Sequence, residues 1–287
     1  MVIGLNRVVG GIGILPILKS AFAFSVIALA SSELFDSVSI MADIELTWYG
    51  HAAFKIVAPS GNVLLIDPWL TNPLFEKGKE KLAALKRVDL IFLSHGHFDH
   101  VGDAVEIGKR SGAKLVATFD LALAMKSVLG YPAEQADMDT TGHFGGELRL
   151  LDGDVSASFV PAHHGSAISK DDSAPFYGGS PSGIVISIKN GPTIYDTGDT
   201  DLFSDMALVS NYHNIDVMIV CIGDHFTMGP KRAADAVKLV RPRVVIPQHY
   251  RTFPVLTGTP EEFGRELKKR QLDTELRVLE VGETVSL

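Results

Sequence analysis

The stretch "LIFLSHGHFDHVGD", Leu90 to Asp103, constrains this chain more than any other. An apolar run of strand length, Val88–Ser94, ends on His95, His97, Asp99 and His100. Three imidazoles and a carboxylate so close together are too polar to bury without partners. They are ligands for a borderline divalent metal such as zinc, manganese or iron. His95 and His97 lie two apart, so an extended segment turns them the same way, and Asp99 repeats that spacing. His100 breaks it and points elsewhere, which suits a second metal beside the first. A solvated His-rich loop would explain a single histidine. It does not explain H-x-H-x-D-H directly behind an apolar strand.

Other polar clusters also sit where expected strands end. "IELTWYG" and "AFKIVA" are short strand candidates joined at Gly50-His51, and "NVLLIDP" follows a Ser60-Gly61-Asn62 turn. "VSASFVPAHHG" alternates and stops at His163-His164. "SGIVISIKNGPTIYDTGD" reads as two strands around an Asn190-Gly191 hairpin, ending on Asp199. "DVMIVCIG" ends at Asp224-His225, and "RVVIPQHY" at His249. Short loops on a β scaffold are where chemistry is usually mounted. Helices are expected over "VGDAVEIGKRSG" with Gly112 as a stop, and over "DLALAMKSVLG" with Asp120 as N-cap. Two more run between Gly229 and Pro242 and from Pro260, capped by Thr259.

Composition narrows the partners. The net charge is −8, which disfavours nucleic acid, and the short basic clusters "EKGKEKLAALKR", "RPR" and "KKR" read as solvated helix faces. The single cysteine, Cys221, forms no intramolecular disulfide, and its apolar strand marks it as a packing thiol.

Residues 1–40 differ from the rest. Three readings stand: a leader with a cleavage box at Ala28-Leu29-Ala30, a membrane anchor over residues 8–30, or a domain whose natural start is Met41. The chain is accordingly divided into an apolar extension, 1–40, and a catalytic domain, 41–287. A cytoplasmic location is preferred, because the rest carries no export signature; export or anchoring through residues 1–30 is the alternative.

"HGHFDH" resembles the H-x-H-x-D-H signature of the metallo-β-lactamase superfamily. "TWYGHAAFKI", "LLIDPWL", "YDTGDTDLFSDM", "IGDHFTMGP" and "IPQHYRTFP" are similar to motifs of one branch, the metal-dependent hydrolases related to L-ascorbate-6-phosphate lactonase. The resemblance implies an α/β fold, a four-layer αββα sandwich, with the metal site at the edge where the sheets meet. It implies that His95, His97 and a histidine of "PAHHGS" hold one metal. Asp99, His100 and His249 would hold the second, and Asp199 would bridge them. His163 and His164 compete for the remaining place, and His164 is the expected ligand, because Gly165 and Ser166 then match the small residues that follow the family's histidine. The expected cofactors are two divalent ions, zinc or manganese. Asp99 and Asp199 are the expected catalytic carboxylates.

Two divalent cations, two carboxylates and a bridging hydroxide leave one net positive charge to attract a polarised substrate oxygen. The expected reaction is attack by that hydroxide on a carbonyl or phosphorus centre of a small ester, lactone or phosphodiester. A nuclease of the same superfamily is an alternative, but it needs a basic groove. An iron redox or sensor protein is another; it usually carries a flavin domain, for which residues 41–287 leave no room. His51 is a candidate for contacts around the metals or substrate, with a structural role in its turn as the equal alternative. Asp224 is a candidate to orient a ligand histidine. Tyr250 and Arg251 can contact substrate, but packing is the preferred reading; His143, His213 and His225 are not expected to be catalytic. Phe75, Phe176 and Tyr177 are expected to line a pocket.

Overall fold

The computed structural model describes residues 43–171 and 174–287. The expectations for residues 1–40 lie outside the described residues. Among the described residues, two seven-stranded mixed sheets are present. The first runs in the order β16 (Thr284–Ser286), β1 (Glu45–Trp48), β2 (Phe54–Val57), β3 (Val63–Ile66), β4 (Leu90–Phe92), β5 (Lys114–Thr118) and β6 (Thr141–Gly142). The second runs β15 (Glu275–Leu276), β14 (Val244–Gln248), β13 (Val217–Cys221), β12 (Thr193–Asp196), β11 (Ser182–Ile188), β8 (Val155–Pro161) and β7 (Glu147–Leu150). A small hairpin pairs β9 (Ala167–Ile168) with β10 (Phe176–Tyr177).

Side-chain alternation explains the layering. Leu64 and Ile66 of β3, Leu90 and Phe92 of β4, and Val116 of β5 enter a core shared with Ile184, Ile194 and Ile219 of the second sheet. Their neighbours Leu65, Ile91, Leu115 and Ala117 face the other way. There they pack with residues of α1 (Gly78–Ala84), α2 (Phe98–Val101), α3 (Ala104–Ser111) and α4 (Phe119–Ala124). The outer face of the second sheet is covered by α5 (Met206–Tyr212), α6 (Pro230–Val240) and α7 (Pro260–Lys269). Arg270 ties the last two together through Asp235, at 2.7 Å, and Glu266, at 2.7 Å. The result is an αββα sandwich. No helix among the described residues is long and apolar enough to cross a membrane.

The parallel runs β3–β4–β5 and β12–β13–β14 decide where polar residues can gather. Strands buried on both faces read as continuous apolar runs, so their polar residues fall at the ends. The Asn190-Gly191 hairpin forms, with Asn190 at φ 59°. Two local expectations are corrected. The N-cap of α4 is Thr118, not Asp120; Asp120 falls in the first turn, where its charge still faces the positive helix end. The chain after His97 is not extended but turns into α2, so Asp99 does not continue the spacing of His95 and His97.

Candidate metal centre

Strand ends and one turn of both sheets converge at one edge. β3 delivers Asp67, β4 delivers His95 and His97, and α2 adds Asp99 and His100. From the second sheet, β8 leads to His163-His164, β12 to Asp199 and β14 to His249. The sheets are joined here by main-chain bonds. The amide and hydroxyl of Ser182 donate to the Ser94 carbonyl at 3.0 and 2.9 Å, and the His249 amide donates to the His51 carbonyl at 3.1 Å.

His51 arrives on the tight turn between β1 and β2. Gly50 and His51 both adopt positive φ, 92° and 53°. A Cβ at Gly50 would stand 2.8 Å from Asn72 Oδ1, so the close approach as well as the dihedral asks for glycine. The turn drives the His51 ring fully inward.

Asp199 Oδ2 occupies the middle of the cluster. It lies 3.0 Å from His249 Nε2, 3.3 Å from His100 Nε2, 3.5 Å from His164 Nε2 and 4.0 Å from His95 Nε2. Two groups flank it, each with ligand atoms mutually within 4.8 Å: His95, His97 and His164 on one side, and His51, Asp99, His100 and His249 on the other. The structure therefore brings all seven expected ligands together. It separates the two competing histidines: His164 reaches Asp199, whereas the His163 ring stacks on Phe203 at 4.4 Å between centroids.

The electrostatics divide the histidines. Burial first, then neighbouring histidines, lowers His95, His97 and His164, which favours neutral rings; His95 Nε2 and His97 Nδ1 share a hydrogen bond at 2.9 Å that a bound ion would replace. Burial also opposes protonation of His100 and His249, but Asp199 outweighs it; His100 is raised well above its usual value and His249 to about 9. Desolvation of Asp99 and Asp199 is likewise overcome, by His249 and His51 for the former and by His249 and His100 for the latter. Both carboxylates are held ionised.

Burial and then His249 push His51 down to about 4, so its ring is neutral. Asp99, ionised, can only accept, so His51 Nε2–H donates to Asp99 Oδ2 at 3.0 Å. His51 Nδ1 then accepts the Thr252 hydroxyl at 2.7 Å. On the other side, Asp67 accepts from the Ser94 amide at 2.8 Å and from His100 Nδ1 at 2.7 Å. A carboxylate behind a histidine, fixing its tautomer and turning Nε2 outward, is the usual support of a metal ligand.

Several buried atoms call for a cation. His100 Nε2, Asp199 Oδ1 and both ring nitrogens of His249 are buried without hydrogen-bond partners. His249 Nε2 and Asp199 Oδ2 are 3.0 Å apart but not aligned as a hydrogen bond. Leaving such groups unpaired is costly, and a divalent ion that displaces the protons of His100 and His249 would satisfy them together. The donor set of imidazole nitrogens and carboxylate oxygens fits a borderline divalent metal such as zinc, manganese or iron.

Other candidates land elsewhere. Asp224 is exposed, and its carboxylate accepts the His225 amide at 2.8 Å; it orients no histidine of the cluster. Tyr250 is buried against Trp48, with ring centroids 5.3 Å apart, and Arg251 reaches Glu261 at 3.5 Å. Phe75 stacks on Tyr49 away from the centre. Phe176 and Tyr177 edge a shallower hollow that touches the centre at His164. The main cavity, about 530 Å³, opens directly above the cluster and is walled by Phe98, Phe226, Phe253, Pro254 and Val255. None of these wall residues is singled out by spacing or pattern in the sequence. The place of Asp67 at the end of the apolar run "NVLLIDP" is a usable sequence signal, whereas its pairing with His100 is not visible there.

Residues 62–250 match the family described as the beta-lactamase superfamily domain. A UPF0173 metal-dependent hydrolase of Thermodesulfovibrio yellowstonii is 56% identical over 245 residues, covering 85% of this chain and 92% of that protein. A UPF0173 metal-dependent hydrolase of Archaeoglobus fulgidus is 38% identical over 244 residues, covering 84% of this chain and 98% of that one. Among solved structures, Igni18, a metallo hydrolase from Ignicoccus hospitalis, aligns with a TM-score of 0.74 at 34% identity, over 86% of this chain and 99% of its own. The isothiocyanate hydrolase from Delia radicum gut bacteria, at 18% identity and a TM-score of 0.62 over 84% of this chain and 98% of its own, shares the fold.

Proposed function

The chain belongs to the UPF0173 metal-dependent hydrolase family of the beta-lactamase superfamily, and on that premise we propose that it uses two divalent metals to hydrolyse a small ester, lactone or phosphodiester. His95, His97 and His164 would hold one metal, and Asp99, His100 and His249 the other, with Asp199 shared by both. The metals, zinc or manganese, supply Lewis acidity and a water acidic enough to ionise near neutral pH. The observation that carries this reading is the position of Asp199 Oδ2 among four histidine Nε2 atoms at 3.0 to 4.0 Å.

The chain's own groups do the rest. Asp67 and Ser94 fix the His100 ring, so Nε2 is aimed before any ligand arrives. Asp99 faces the cavity and is held from behind by His51. We assign to Asp99 the transfer of a proton from the attacking water to the leaving group.

The test is elemental analysis of protein purified without added metal, paired with a screen of bis-p-nitrophenyl phosphate, p-nitrophenyl esters and simple lactones. About two zinc or manganese ions per chain with turnover is the expected result. A protein that takes up no metal after loading refutes it. Iron without hydrolysis would transfer the chain to redox chemistry.

A further inference from the structure

Resting on the hydrolase reading above, we infer that the substrate carries an uncharged alkyl or aryl group beside its scissile bond, and that this group fills the cavity above the metal centre. The cavity, about 530 Å³, falls within the range of pockets that enclose small organic ligands. Its floor is reactive and its wall is apolar. Phe98, Phe226 and Val255 are 66%, 54% and 42% exposed around the same opening. Single exposed apolar residues need no explanation, but several ringing one polar centre mark a binding surface.

A bland account covers only part of this wall. α2 must turn Asp99 and His100 inward, so Phe98 is left outside whatever its use. Phe226 and Val255 have no such excuse, because they stand on separate turns after β13 and β14. The Phe226 turn is held with Asp224 and His225 both left-handed, at φ 65° and 58°, a conformation that side chains disfavour. That turn presents a phenyl ring to solvent beside the cluster. The wall is also braced: Trp69 meets Phe98 edge-on at 5.7 Å and stacks on Phe253 at 6.0 Å.

Charge points the same way. Among the described residues, no lysine or arginine lines the cavity. Arg251 is turned away, toward Glu261 and over the Tyr250 ring. A phosphate or sulfate on the distal part of a substrate would find no cationic partner here, and a nucleic-acid backbone would find none either. Phe226, Phe253 and Val255 are therefore the specificity-determining residues of this centre.

The experiment uses the metal-loaded full chain and p-nitrophenyl acetate, butyrate, hexanoate and octanoate, with γ-lactones of matching side-chain length. The expected result is a rise in kcat/KM of about three- to fourfold per methylene. Val255→Asp and Phe226→Ala should cut that slope to less than about twofold per methylene, with unchanged metal content and circular dichroism. Calorimetric binding of acetate, hexanoate and decanoate gives a second readout, with affinity climbing along the series. Turnover that is flat or falling with chain length overturns the proposal, as does preference for a phosphorylated lactone. No turnover with any compound refutes the hydrolase reading, and the binding series then decides alone on the pocket. A wild-type dimer dissociated by Val255→Asp, together with a flat series, would give the wall to a second copy and overturn the proposal.

Discussion

Asp67 Oδ2 lies 2.7 Å from His100 Nδ1, and both side chains are fully buried. The carboxylate comes from the end of β3 and the imidazole from α2, so the pair locks strand to helix while it aims a ligand nitrogen. Asp67→Asn should keep the shape and lose the charge. Affinity for the second metal is expected to fall about 10- to 100-fold, read by titration against a competing chelator. Unchanged affinity would leave Asp67 a purely structural role.

Asp199 is the atom-level centre of the cluster. Asp199→Ala should leave a protein that holds at most one metal per chain, measured by elemental analysis after loading. Two metals retained would remove Asp199 from the bridging position.

The neighbouring histidines separate cleanly. His164→Ala should lose the first metal and hydrolysis with it. His163→Ala removes only a ring stacked on Phe203, and metal stoichiometry should stay intact. Parallel metal analysis of the two variants reads the difference, and equal losses would contradict the assignment.

Asp196 offers a test by pH. Burial, and then the charge of Asp67, raise its carboxyl from 3.8 to about 7. A raised acid in the folded state binds its proton more tightly than the unfolded chain does. Its stabilising contribution is therefore full below about pH 4 and is lost as pH rises toward about 7. Asp196→Asn abolishes that dependence. The melting temperature of the variant relative to the parent should rise between pH 5 and pH 8, followed by differential scanning fluorimetry. A difference that does not move with pH would show that Asp196 is not protonated when folded.

Gly223 supplies a packing test. A Cβ there would sit 2.0 Å from the His249 carbonyl oxygen, which belongs to main chain and cannot swing aside. Gly223→Ala should cost about 1–3 kcal/mol or more, seen as a lower denaturation midpoint with unchanged slope. No loss would mean that the ends of β13 and β14 yield more readily than their packing suggests.

Much of the centre was legible in the sequence because its ligands are short-range from strand ends. His95, His97, Asp99 and His100 crowd six positions, and Asp199 and His249 each close an apolar run. What escaped depends on contacts between distant segments. Asp67 meets His100 across 33 positions, and His51 meets Asp99 across 48; neither pairing leaves a trace in local spacing. The edge strands β6, β15 and β16 are two or three residues long, too short to show a period. Phe75 and Phe226 look alike in sequence, yet one stacks on Tyr49 and the other faces the cavity. Loop path decides between them, and loop path follows from the packed whole.

The wall and the ligands share strands but scarcely share positions. Phe226 and Val255 ride on turns a few residues beyond the strands, while the groups that grip the metals are anchored at the strand ends themselves. Substitutions on those outer turns can redraw what is admitted while the reagent below stays as it is. A lineage built on this frame can thus change its diet one turn at a time, with its chemistry held in escrow by the sheets.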